Sequence, residues 1–300
     1  MKKRKIKSEV SIIKMALETK VINEIKKNTK TIVFSPVVEY MMRIGYGARG
    51  LIYGIIGLLA LLVAFSVSGS LSDQQGAIAD IGKQPIGQVL LIIVLIGLVG
   101  YVLWGLVRAL FDPLHKGKSM KGIIERIGFF ISAVAYAILI IPTYNFILGN
   151  SNAAQNGAQG VQLRNIIGTI FLFPLGIYIV GIIGVIFLLV GLYQAYLGLK
   201  KNFDKRFNPY ILTSKQVKYV KIMGRFGYVG RAVVFFFLGI FLIFAAYYSN
   251  SSKAKGIDGV LLFILQQPYG HYLLGIVALG LIAFGAYSIL SGFWFKLKKP

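Results

Sequence analysis

Five arginines stand at matched positions in a chain that is otherwise poor in reactive side chains: Arg43, Arg49, Arg126, Arg225 and Arg231. Arg43, Arg126 and Arg225 open apolar segments, and Arg49 and Arg231 lie six residues deeper. A guanidinium stays charged and presents a fork of N–H donors that matches phosphate and carboxylate. Such a set points to an anion or lipid head group at one end of a helical bundle. The plainer reading is anchoring, because basic residues at helix ends snorkel to lipid phosphates and enforce topology. Anchoring does not account for Arg49 and Arg231, since a charge inside an apolar helix is costly unless paired or wetted. Spacing leaves Glu39, Glu125 and Asp112 as candidate partners. Tyr53, Tyr136 and Phe235 follow at one depth. Three rings at one level could form a constriction or a pocket, or could be ordinary core packing.

The rest of the inventory argues against catalysis. Without cysteine there is no thiolate nucleophile, disulfide or sulfur metal site. The two histidines, His115 and His271, fall on opposite sides of the bundle and cannot ligate one metal or haem. Gly117-Lys118-Ser119 resembles a P-loop tail, but Asp112 occupies the place of the first glycine and no strand precedes it. Gly224, Gly227 and Gly230 lack the βαβ setting of a dinucleotide loop. No metal, cofactor or catalytic residue is expected, and the protein reads as a non-enzyme.

The elements that position these residues follow from composition. Of 300 residues 56% are apolar and only 14% charged, with a mean hydropathy of +0.72. That excludes a soluble globular enzyme and a disordered basic tail. Six segments reach the roughly 20 apolar residues that span a bilayer: 50–68, 86–106, 127–148 with Pro142 as a kink, 166–197, 226–248 and 272–295. Of the 33 Lys and Arg residues, 29 fall on one side of these spans, and only Lys83, Arg164, Lys253 and Lys255 on the other. The positive-inside rule therefore places both termini in the cytoplasm. The net charge of +23 becomes a one-sided orientation label, so nucleic acid is not an expected partner.

The spans repeat in pairs. Arg43-Ile-Gly45-Tyr46, Arg126-Ile-Gly128-Phe129 and Arg225-Phe-Gly227-Tyr228 open the odd-numbered spans. Gln84-Pro85-Ile-Gly87, Phe173-Pro174-Leu-Gly176 and Gln267-Pro268-Tyr-Gly270 open the even-numbered ones. Trp104, Tyr193 and Tyr287 recur 19 positions after each proline. The unit is a helical hairpin in three parallel copies, 40–115, 116–207 and 208–300. Parallel copies imply a pseudo-symmetry axis along the membrane normal, with a ring of hairpins as the natural arrangement and a bent row as the alternative. The second copy departs from the others, with Ser132 for the second arginine and Phe173 for glutamine.

The Arg-x-Gly-Tyr-x-x-Arg-Gly-x-x-Tyr opening, the Gln-Pro-x-Gly turn and the triplication resemble the domain of unknown function 1206 family of bacterial membrane proteins, over about residues 40–297. The resemblance implies six helices in three pairs in a bacterial cytoplasmic membrane. It implies no activity and no catalytic residues.

Residues 1–39 precede the repeats. Ile6, Val10, Ile13, Leu17, Val21 and Ile25 share one helical face, with Lys7, Lys14, Lys20 and Lys27 opposite. This predicts a cytoplasmic amphipathic helix that lies on anionic lipids or docks a protein partner. No apolar stretch follows Met1-Lys2-Lys3-Arg4 closely, so a cleaved signal is not expected. The fold class expected is all-α membrane protein. The leading function is a non-enzymatic scaffold or partner-binding protein, with a facilitative permease or channel for an anionic or apolar solute as the alternative.

Overall fold

The computed structural model describes residues 36–65, 71–112, 117, 119–149, 158–200 and 213–294. The amphipathic stripe from Ile6 to Ile25 lies outside them. The described chain is all helical: α1 (Pro36–Ala64), α2 (Gln74–Gly82), α3 (Gly87–Phe111), α4 (Met120–Ile138), α5 (Ile140–Ile147), α6 (Ala158–Phe171), α7 (Gly176–Lys200), α8 (Ser214–Tyr247), α9 (Ile257–Leu265) and α10 (Gly270–Trp294). Six stretches are long and apolar enough to cross a membrane: α1, α3, α4 with α5, α7, α8 and α10.

Span boundaries differ from expectation in three places. Helix α1 begins 14 residues before position 50, which puts Arg43 and Arg49 inside the helix. The long segment 166–197 is two helices, because Leu172-Phe173-Pro174-Leu175 turns between α6 and α7. Proline lacks the N–H that would continue the ladder and disfavours helix in the residue before it. The third span breaks at Leu139, and Pro142 follows in α5. The buried Thr143 hydroxyl donates to the Leu139 carbonyl at 2.6 Å and occupies part of the break.

Each copy carries an unanticipated short helix, α2, α6 or α9, before its proline turn. The three turns share one hydrogen bond, from Gly87 N to Gln84 O (2.7 Å), Gly176 N to Phe173 O (2.9 Å) and Gly270 N to Gln267 O (2.8 Å). A Cβ on any of these glycines would strike the carbonyl of Gly82, Ile170 or Leu265. The glycine is thus required by the close return of the chain onto the short helix.

The spans pack in the order α4, α3, α1, α10, α8, α7, and α4 and α7 do not pack against each other. The arrangement is a bent row, not a closed ring, and the middle hairpin is open. Small residues explain why. In the first copy Ala48 lies on Gly97, and in the third Gly230 lies on Gly280, so helices approach to backbone contact. The corresponding residues of the second copy are Ile131 and Ile186, which are 51% and 44% exposed. Between copies, Gly184, Gly191 and Gly198 of α7 fit against α8 backbone, and Gly50 and Gly57 of α1 fit against α10.

Candidate functional site

The bend of the row brings together side chains from five helices. On α1, Arg49 and Tyr53 are four residues apart and share a face; Arg231 and Phe235 of α8, and Ser132 and Tyr136 of α4, repeat that spacing. Tyr101 of α3 and Phe284 of α10 complete the cluster. These two aromatics stand at equivalent positions, each 16 residues after its repeat proline, and their backbones touch Gly45 and Gly227 respectively.

Arg49 Nη1 donates to the Tyr101 hydroxyl at 2.6 Å, and that hydroxyl shares a 3.3 Å hydrogen bond with Ser132 Oγ. The Arg49 guanidinium also lies 4.6 Å from the Phe284 ring centroid and 5.3 Å from that of Tyr101. Arg231 lies 4.2 Å from the same Phe284 ring, 5.1 Å from Tyr53 and 5.0 Å from Phe235. Phe284 therefore holds two like charges within about 9 Å of one another. At a rise of 1.5 Å per residue, Arg49 and Arg231 stand about 22 and 24 Å from the ends of α1 and α8. In a hydrocarbon layer about 30 Å thick that is inside the apolar slab.

Neither guanidinium forms an ion pair with a carboxylate among the described residues. Glu39 instead pairs with Arg43 at 2.6 Å, on the exposed first turns of α1. The Nε–H groups of Arg49 and Arg231 are buried without an acceptor. Ring faces attract the two cations but replace neither a carboxylate nor in-plane hydrogen bonds.

The structure thus divides the five arginines. Arg49 and Arg231, both half-buried, meet on the Phe284 ring. Arg43, Arg126 and Arg225 stay apart from them at the end that carries the basic loops. Arg126 donates from Nε to Ala109 O (2.8 Å) and from Nη2 to Leu110 O (3.0 Å), closing orphan carbonyls at the end of α3. Arg225 is exposed. The aromatic trio borders the cluster as packed core. Tyr53 meets Phe284 edge-on at 5.0 Å, Tyr136 meets Tyr101 at 4.5 Å, and Phe235 stacks on Phe187 at 5.7 Å. Gln74, at the start of α2, donates to the Tyr53 hydroxyl at 3.4 Å.

One member escaped the reading of the repeats. Arg108 of α3 is only 6% exposed and donates from Nη1 to the Tyr46 hydroxyl at 3.2 Å. Its guanidinium lies 4.4 Å from the Phe129 ring centroid, 5.5 Å from Trp104 and 5.7 Å from Tyr101. The equivalent positions are Leu197 and Ser291, so no repeated arginine marks it. The available signal was the spacing of four from Trp104 within an apolar helix.

No metal-binding cluster of His, Asp or Glu occurs among the described residues. A family model described as Domain of Unknown Function (DUF1206) matches residues 44–112 and 226–294, which take in all three interior arginines. The chain is 31% identical over 280 residues to an uncharacterised protein, YxxB, of Bacillus subtilis (strain 168), across 93% of this chain and 98% of that relative. No solved structure matches the chain.

Proposed function

Because the chain belongs to the domain of unknown function 1206 family, whose name records no activity, we propose a function from the geometry: a non-enzymatic membrane protein that binds a small anion between Arg49 and Arg231. One observation carries this reading. Two arginines from different repeats converge on Phe284 inside a membrane-spanning bundle, with buried N–H groups and no described carboxylate to neutralise them. Buried charge is ordinarily paired. An anion would supply the missing counter-charge and the missing acceptors together.

This favours the anion-handling reading over the scaffold. The docking arm of the scaffold, residues 1–39, lies almost wholly outside the described residues. The anion reading requires neither a catalytic residue nor a cofactor.

The test uses purified protein and proteoliposomes. Chloride, nitrate and phosphate are added in turn during thermal melting. At least one should raise the wild-type midpoint and leave Arg49→Gln/Arg231→Gln unmoved. Equal responses in both proteins, or none in either, would overturn the site. Flux of the bound anion in wild type, lost in the double variant, identifies a facilitative permease; saturable binding without flux identifies a static anion site.

The orientation proposed is a bacterial cytoplasmic membrane with both termini in the cytoplasm, from the distribution of Lys and Arg. Cysteines introduced singly at 75, 155 and 252 are expected to react with an impermeant maleimide in sealed cells, and one at 118 is not. Labelling at 118 would reverse the topology.

A further inference from the structure

Arg108 has more buried donor atoms without an acceptor than either Arg49 or Arg231. Its Nη1 is engaged by Tyr46, but both Nε and Nη2 are buried with no acceptor, and so is Trp104 Nε1. Nε and Nη2 form one edge of the guanidinium, the side-on fork that grips two oxygens of a phosphate or carboxylate in parallel. Trp104 and Arg108 are four residues apart on α3, so the indole and the fork share a face. The result is a buried set of donors with nothing to donate to, at a residue more than nine-tenths enclosed.

Its depth suggests what it would receive. Arg108 stands 21 residues into α3, about 32 Å along the axis from the proline-turn end. That is one hydrocarbon thickness, the level at which lipid phosphates begin. The negative end of the α3 dipole would oppose an anion at this place. Arg126 offsets it by donating to the last α3 carbonyls, Ala109 O and Leu110 O. Phe129, half-buried on α4, covers the guanidinium face at 4.4 Å. As α4 ends the row of spans, this is the ring with most freedom to move aside.

We infer that Arg108 and Trp104 form a second binding site, separate from the Arg49–Arg231 pair, for a phosphate group reaching the basic end of the bundle, supplied by a phospholipid head group or by free phosphate. Its donors belong to neither residue of that pair, although the Arg49 and Arg108 guanidinium groups both lie by the Tyr101 ring, at 5.3 and 5.7 Å.

Thermal melting of the detergent-solubilised full chain tests it, with inorganic phosphate, phosphatidylglycerol or an uncharged glycolipid titrated in. Four proteins are compared: wild type, Trp104→Phe, Arg108→Lys and Arg49→Gln/Arg231→Gln. Trp104→Phe removes the N–H and keeps an aromatic ring; Arg108→Lys keeps the charge and removes the fork. Phosphatidylglycerol is expected to stabilise wild type and the double variant equally, whereas the two site variants need about tenfold more of it, the loss of one charge-assisted hydrogen bond. An equal effect of inorganic phosphate would identify free phosphate as sufficient, and its absence would identify the lipid. The inference is overturned if the site variants titrate like wild type, if glycolipid works as well as phosphatidylglycerol, or if no phosphate compound moves wild type. Should Arg108→Lys fail to fold, Trp104→Phe decides alone.

Discussion

Arg231→Met is expected to melt higher than wild type in anion-free buffer while losing its response to added anion. Transferring an ion fully from water into a protein interior costs several kcal/mol, of which the half-buried Arg231 bears a part. The buried Arg231 Nε–H adds about 1–3 kcal/mol for a donor without acceptor. Against this stand three rings, Tyr53, Phe235 and Phe284, with centroids at 5.1, 5.0 and 4.2 Å. Each returns on the order of 1 kcal/mol. The like charge of Arg49 on the same Phe284 ring works against them. Methionine fills a similar length with no charge to desolvate and keeps contact with the rings. The net gain should be on the order of 1–2 kcal/mol, visible as a rise of a few degrees in the melting midpoint. A variant that gains stability and loses ligand response marks a site held at the expense of stability. A lower midpoint would instead assign Arg231 a structural role through its rings.

The second large effect lies at the α1–α10 contact, in the middle of the row. A Cβ at Gly285 would come within 2.6 Å of Gly50 O and 2.9 Å of Gly54 N. Both are backbone atoms, which no rotamer change can move aside. Gly285→Ala is therefore expected to push the two helices apart and destabilise by about 3 kcal/mol, the upper end for overpacking. It should also separate Arg49 from Arg231 and abolish the anion response. Gly54→Ala is the control, because its added Cβ meets nothing within 4 Å. That substitution should be neutral or gain up to about 1 kcal/mol from helix propensity. Melting of the two variants side by side checks the contrast, and equal midpoints would refute the close-packing account.

Much of this was legible without coordinates, for physical reasons tied to particular residues. Charge-free runs of about 20 apolar residues announce spans, and the proline turns at Pro85, Pro174 and Pro268 announce the repeat because a proline–glycine pair dictates a local conformation. The depth of Arg49 and Arg231 also followed from their place in the repeat. What was not legible was company. Arg108 falls just beyond the expected span of 86–106; the helix runs on to Phe111 and carries it into the bundle, onto Phe129 and Tyr46. Tyr101 and Phe284 lie in unremarkable apolar sequence, and their roles depend on which helix faces them.

The amino-acid sequence by itself determined the solvent, the number of spans and the threefold repetition, because hydrophobic length, turn chemistry and side-chain period act within a few residues of chain. The tertiary structure alone decided that the row is bent and open at the second repeat, that Arg49 and Arg231 meet while Arg43, Arg126 and Arg225 do not, and that Arg108 joins the interior. These outcomes depend on how closely pairs of helices approach. That is set by small or bulky residues on two distant segments at once, Gly230 on Gly280 against Ile131 and Ile186. No local pattern contains that information.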